Sequence, residues 1–278
     1  NKTMKQTFLK KTISLLLFSC GLLSVYAAKV DTVNVYSPTM DREIKAVVIV
    51  PESAYSRQTA RPVIYLLHGY GGFEKSWIIK KDNLPEIADE KEVFFVCPNG
   101  ESSWYINSPV KKESQFETFV AQELTHYIDS CYMTLPRADK RAITGLSMGG
   151  HGALYIAMRN PNIFGAAGSM SGGVDFRPFT EKWELKTILG DYNTNKTAWD
   201  ANVVVNQISK IKNREVELFI DCGKDDFFMP VNQELHNQLD KAGIEHDFII
   251  RPGKHTWDYW LNAIDYHILF FTNFFNHK

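Results

Sequence analysis

The strongest constraint on the fold is a set of short apolar runs, each ending in a turn and most separated by helical stretches. They read "PVIYLLHGYGG", "VFFVCP", "RAITGLS", "AAGSMSGG", "VELFIDCG" and "HDFIIRPG". The middle and late runs are apolar at successive positions instead of alternating, as strands covered by helices on each side must be. Between them, "ESQFETFVAQELTHYIDSCY", "GGHGALYIAMRNP" and "PVNQELHNQLDKAG" carry helical spacing with glycine or proline stops. Strands alternating with helices predict an α/β chain with a mostly parallel central sheet and helices on both faces. The earlier runs "VNVYS" and "AVVIV" predict an antiparallel edge. The polar stretch from Phe176 to Asn213, with "LGDYNTNKTAWD" inside it, is weakly periodic and reads as an excursion that walls a pocket.

The first residues are set apart from the fold. Lys5, Lys10 and Lys11 precede the apolar run Ile13–Ala27, the layout of a secretory signal peptide, with Met4 as a candidate start. The run is short for a membrane span. Cleavage is expected after Ala27; a lipid anchor on Cys20 is the lesser alternative, since Phe18 is bulky and apolar residues continue past the cysteine. Residues 28–278 then form one domain of a size that can bury a large core. No membrane span is expected after cleavage. Residues 1–27 hold four lysines and no acid, so the remainder carries a net charge of −5 against −1 for the whole, and no nucleic-acid partner is indicated. The mature chain has only Cys97, Cys131 and Cys222, an odd number without metal-site spacing, which favours buried free thiols.

Within "TGLSMGGHGAL", Ser147 lies between Gly145 and Gly149, after a strand and before a helix. A serine hydroxyl needs a neighbouring base to become a nucleophile, and this context presents it on a tight turn with helix amides behind it. The plainer reading is a helix start with serine as its cap. Reactive groups in such a sheet gather beyond the carboxyl ends of the strands. His255 follows the last strand and precedes a helix, whereas His246 opens that strand at the wrong end. His126, His236 and His267 lie in predicted helices as surface or packing residues, and His277 is at the tail. His68 and His151 fall near the site but at a strand end and inside a helix. "VELFIDCGKDDFF" offers Asp221 at a strand end and Asp225 or Asp226 in the following loop to orient the histidine; residue chemistry does not choose between the last two. Amides of Met148, after the serine, and of Tyr70, after Gly69, are the candidate donors to an oxyanion.

These motifs resemble the esterase D family of α/β-hydrolases, which includes feruloyl and acetyl esterases, S-formylglutathione hydrolases and mycolyltransferases. The likeness runs from Pro38 to Phe275 and is carried by "YLLHGYGG", Trp77, "SWYINSP", "GLSMGGHGAL", "DCGKDDFF" and "GKHTWDYW". It implies the α/β-hydrolase fold and a serine carboxylesterase without metal or cofactor. It assigns Ser147 as nucleophile, His255 as base, Asp226 (three residues after Gly223) as acid, and Tyr70 and Met148 as the oxyanion hole. The chain order Ser147, Asp226, His255 is that of α/β-hydrolases. An ester of a decorated polysaccharide, feruloyl or acetyl, is the expected substrate, with Trp77, Trp104, Tyr105, Phe227 and Trp257 as candidate stacking residues. Acyl transfer by the same residues, action on small or lipid-like esters, and a non-catalytic carbohydrate-binding role are the competing readings; oligomeric state is left open.

Overall fold

The computed structural model describes residues 27–277. All but the last residue of the expected leader, Cys20 included, lie outside them. Eight strands form one sheet: β1 (Lys29–Ser37), β2 (Arg42–Val50), β3 (Val63–Leu67), β4 (Phe94–Pro98), β5 (Arg141–Gly145), β6 (Ala166–Met170), β7 (Glu217–Gly223) and β8 (Asp247–Arg251), in the order β1-β2-β4-β3-β5-β6-β7-β8. β1 pairs antiparallel with β2, and β2 with β4; every pairing from β4 through β3 to β8 is parallel. This is the expected α/β-hydrolase sheet with its antiparallel edge.

Consecutive residues of the central strands enter two different cores. Val63, Tyr65 and Leu67 of β3 face one layer and Ile64 and Leu66 the other; in β4, Phe94 and Val96 oppose Phe95 and Cys97. That division follows from the two-residue side-chain period of a strand and explains the unbroken apolar runs. Helix α1 (Leu84–Lys91) and the long C-terminal α5 (Trp257–His277) cover the second layer. The first is covered by a helical run over 116–131, called α2, with α3 (Met148–Arg159) and α4 (Met229–Lys241). Each large apolar side chain fully buried in these layers contributes roughly 1.5–3 kcal/mol.

Helix α2 is not uniform: between Phe119 and Leu124 it winds as a π-helix. The wider turn lets Phe119, Val120 and Ala121 all face the core. Thr125 Oγ1 donates to the Ala121 carbonyl at 2.7 Å where α-helical winding resumes. The excursion 176–213 consists of short helical turns, including Leu185–Leu189 and Lys196–Ala201, laid over one end of the first layer. Among the described residues no helix is long and apolar enough to cross a membrane. The three cysteines among the described residues are free; Cys97 and Cys222 are buried as expected, but Cys131, near the end of α2, is exposed.

Candidate active site

Strand β5 ends at Gly145 and α3 begins at Met148, so Leu146 and Ser147 alone turn the chain. Ser147 has φ 56° and ψ −116°, a conformation that costs a side-chain-bearing residue on the order of 1–3 kcal/mol. It is held there by hydrogen bonds: the Ser147 N–H donates to the Met170 carbonyl at 2.9 Å, and the Ser147 carbonyl accepts from His151 N–H at 3.1 Å and Gly173 N–H at 3.2 Å. The flanking glycines are steric necessities. A Cβ on Gly145 would stand 2.7 Å from the Gly149 carbonyl oxygen, and one on Gly149 2.6 Å from that of Leu67.

Two loops at the carboxyl ends of β7 and β8 bring the other groups in. His255 Nε2 lies 2.9 Å from Ser147 Oγ, and its Nδ1 lies 2.8 Å and 3.1 Å from the two Asp226 oxygens. With Nδ1–H donating to the carboxylate, Nε2 is left bare to accept the serine proton. Asp226 is 4% exposed, and its Oδ1 also accepts the Phe228 N–H at 2.8 Å. Asp225 is exposed; its N–H donates to the Gly253 carbonyl, tying the two loops together. Of the two loop acids between which residue chemistry does not choose, Asp226, the one that the resemblance assigns, is the one brought to His255. Asp221 lies deeper, paired with Arg251 and with the Tyr259 hydroxyl, and burial raises its carboxyl above the usual range in spite of both partners. The His255 ring is packed between Phe227, at 4.4 Å between centroids, and Trp260, perpendicular at 4.8 Å.

The Tyr70 and Met148 amides donate to no protein acceptor among the described residues. Their two loops touch: a Cβ on Gly69 would lie 3.4 Å from Ser147 Cβ. His68 fixes the Gly69 loop, with Nδ1 2.7 Å from the Gly69 carbonyl and Nε2 accepting the Gly100 N–H at 2.8 Å; burial lowers its pKa, consistent with a neutral structural ring. His151 is likewise interior, between the carbonyls of Trp104 and Asn202, and burial lowers it to about 4.

Ser147 and His255 open on a cleft of about 500 Å³ walled by Tyr70, Phe73, Ile79, Trp183, Phe227 and Trp257. Only Phe227 and Trp257 of the candidate stacking residues line it. Trp77, Trp104 and Tyr105 are 1%, 1% and 0% exposed and form a supporting layer instead. Trp77 donates its indole N–H to the Leu67 carbonyl and packs edge-on against Trp257; Trp104 donates to the Trp183 carbonyl; the Tyr105 hydroxyl donates to that of His68. The physical reason is local: Trp104 and Tyr105 have φ of 55° and 57°, a chain reversal that turns both rings inward. Trp183, Tyr70, Phe73 and Ile79 are the wall residues not singled out as side chains by sequence. Trp183 comes from the excursion, which does wall the pocket as expected, but no periodicity marked this residue. The Tyr70 phenol has its pKa raised by partial burial and by the Glu184 carboxylate, which follows Trp183.

Fold and cleft together define an α/β-hydrolase. The chain belongs to the family described as "Putative esterase", whose model matches residues 37–271. It is similar to an acetyl esterase of Caldicellulosiruptor saccharolyticus, 28% identical over 247 residues, covering 82% of this chain and 92% of that one. It is also similar to an endo-1,4-beta-xylanase/feruloyl esterase of Xylanibacter ruminicola, 33% identical over 155 residues, 52% of this chain and 20% of that protein. Among solved structures, a ferulic acid esterase superposes with a TM-score of 0.77 at 28% identity, covering 90% of this chain and 99% of that one. The protein is accordingly a carboxylic ester hydrolase of the serine type.

Proposed function

We propose that this is an exported esterase, with residues 28–278 as the mature domain, that cleaves carbohydrate-linked acyl esters, feruloyl or acetyl, through an acyl-enzyme. Ser147 Oγ attacks the ester carbonyl as His255 takes its proton; Asp226 holds the ring and balances the imidazolium. The Tyr70 and Met148 amides stabilise the oxyanion. His255 then returns the proton to the leaving sugar oxygen, and a water, activated by the same ring, releases the acid. The observation that carries this reading is the continuous line from Asp226 through His255 to Ser147, at 2.8 Å and 2.9 Å, opening on an aromatic-walled cleft. The acyl class is supported by the acetyl and feruloyl esterase relatives and by the flat faces of Trp183 and Phe227.

The test is hydrolysis of methyl ferulate, acetylated xylan and 4-nitrophenyl acetate by wild type and Ser147→Ala, with fluorophosphonate labelling of both. Labelling confined to wild type and turnover of ferulate or xylan are expected. Turnover confined to the small activated ester would keep the serine chemistry and remove the carbohydrate reading; a labelled, active Ser147→Ala would remove the chemistry.

A further inference from the structure

At the far end of the sheet, α4 and the chain entering β8 bring two imidazoles and a carboxylate together. His236 and Asp240 lie one turn apart on α4, and His246 immediately precedes β8. One ligand atom from each lies within 4.8 Å of the others. We infer that His236, Asp240 and His246 bind a divalent transition-metal ion, with zinc the best match to two imidazoles and a carboxylate.

The rings are held as metal ligands are held. His246 Nδ1 is 2.8 Å from the Ile244 carbonyl, which fixes its proton there and leaves Nε2 bare. That Nε2 lies 2.8 Å from His236 Nδ1, and the His236 ring is stacked on Phe248, 4.6 Å between centroids and 24° from parallel. The Asp240 carboxylate stands 3.5 Å from His236 Nε2, so the three side chains converge where the end of α4 meets the start of β8.

Room and field agree. A shallow cleft of about 560 Å³ opens on the cluster and is lined by Asp240 and His246 together with Glu217, Glu245, Asp247 and Arg214, a surround with more acids than bases. It gives an ion an entry path and space for a water as fourth ligand. The site is separated from His255 by the length of β8, roughly 16 Å for five residues. A metal here would pin the C-terminal turn of α4 to the start of β8, and take no part in ester cleavage.

The experiment is calorimetric titration of zinc chloride, and separately magnesium chloride, into the purified chain near neutral pH, with thermal unfolding in parallel. Expected are one zinc per chain, a zinc-dependent rise in Tm, no response to magnesium, and zinc affinity weakened at least about ten-fold in His246→Gln and in Asp240→Asn. His126→Gln, an exposed histidine on α2, should bind as wild type. Zinc-free Tm values report whether each variant folds, and the exposed Asp240 gives a readout if His246→Gln does not. Absence of saturable zinc uptake by wild type, equal uptake by Asp240→Asn, or equal response to magnesium would overturn the site.

Discussion

Trp183 is stacked on Phe227, their rings 18° from parallel and 5.8 Å apart, and Phe227 in turn packs on His255. The excursion after β6 is thereby coupled to the loop that carries Asp226. Trp183→Ala should lower kcat/KM for methyl ferulate about ten- to thirty-fold through KM, the value of one lost aromatic face at 1.4 kcal/mol per decade. Its effect on 4-nitrophenyl acetate should be small. Trp104→Ala behaves differently, because that ring is buried behind the wall: a loss of about 3–5 kcal/mol in stability is expected, read as a drop in the denaturant midpoint. If the two variants exchanged these phenotypes, wall and support would be misassigned.

The paired aspartates should separate just as sharply. Asp226→Ala removes the buried partner of His255, and a fall in kcat of about 10⁴-fold is expected with the fold intact. Asp225→Asn leaves its backbone tie to Gly253 in place and should retain activity within about two-fold, since surface substitutions away from packed features change little. Comparable losses in both would mean that His255 is held by something other than the Asp226 carboxylate.

How much of this was legible in sequence follows from how local each signal is. Ser147, His255 and the Asp225–Asp226 pair each follow a strand of the parallel sheet, so strand order brought them to one edge, while the choice of Asp226 over Asp225 came from the family pattern. The aromatic residues carry no such mark. Whether Trp104 faces a ligand or the core depends on a φ of 55° in a loop, and Trp183 reaches the cleft through an excursion whose α-helices are shorter than two turns. The π-winding in α2 was equally hidden, because its buried residues differ from a regular pattern by a single position.

The Leu67 and His68 carbonyls stand against Gly149 and leave no room for a side chain there. Gly149→Ala places a methyl group 2.6 Å from the Leu67 oxygen, which backbone cannot yield without moving β3. A destabilisation of about 1–3 kcal/mol is expected, together with loss of activity, as the turn that presents Ser147 opens. Gly71→Ala is the contrast: its φ is 75° but nothing lies within 4 Å, so only the left-handed backbone penalty of about 1 kcal/mol applies. Equilibrium urea unfolding of the two variants measures the difference, and equal losses would remove the steric argument.

Acid should destabilise the protein through histidines that never meet substrate. His151 is lowered to about 4 and His267 to about 3, both by burial, against about 6.5 in an unfolded chain. His267 lies among Phe219 and Phe271, with Nδ1 2.9 Å from Thr144 Oγ1 and Nε2 without a hydrogen-bond partner among the described residues. Because the folded values are depressed, the unfolded chain binds more protons below pH 6.5. Stability is therefore full above that pH and falls as pH drops toward the folded values, by up to about 1.4 kcal/mol per pH unit for each ring. Thermal unfolding between pH 7.5 and pH 4 should show a level Tm down to about pH 6.5 and a falling one below it. His267→Leu removes one of the two protons taken up and should flatten the slope while lowering Tm at neutral pH through the lost Thr144 bond. A variant with an unchanged slope would show that His267 does not contribute to the acid sensitivity.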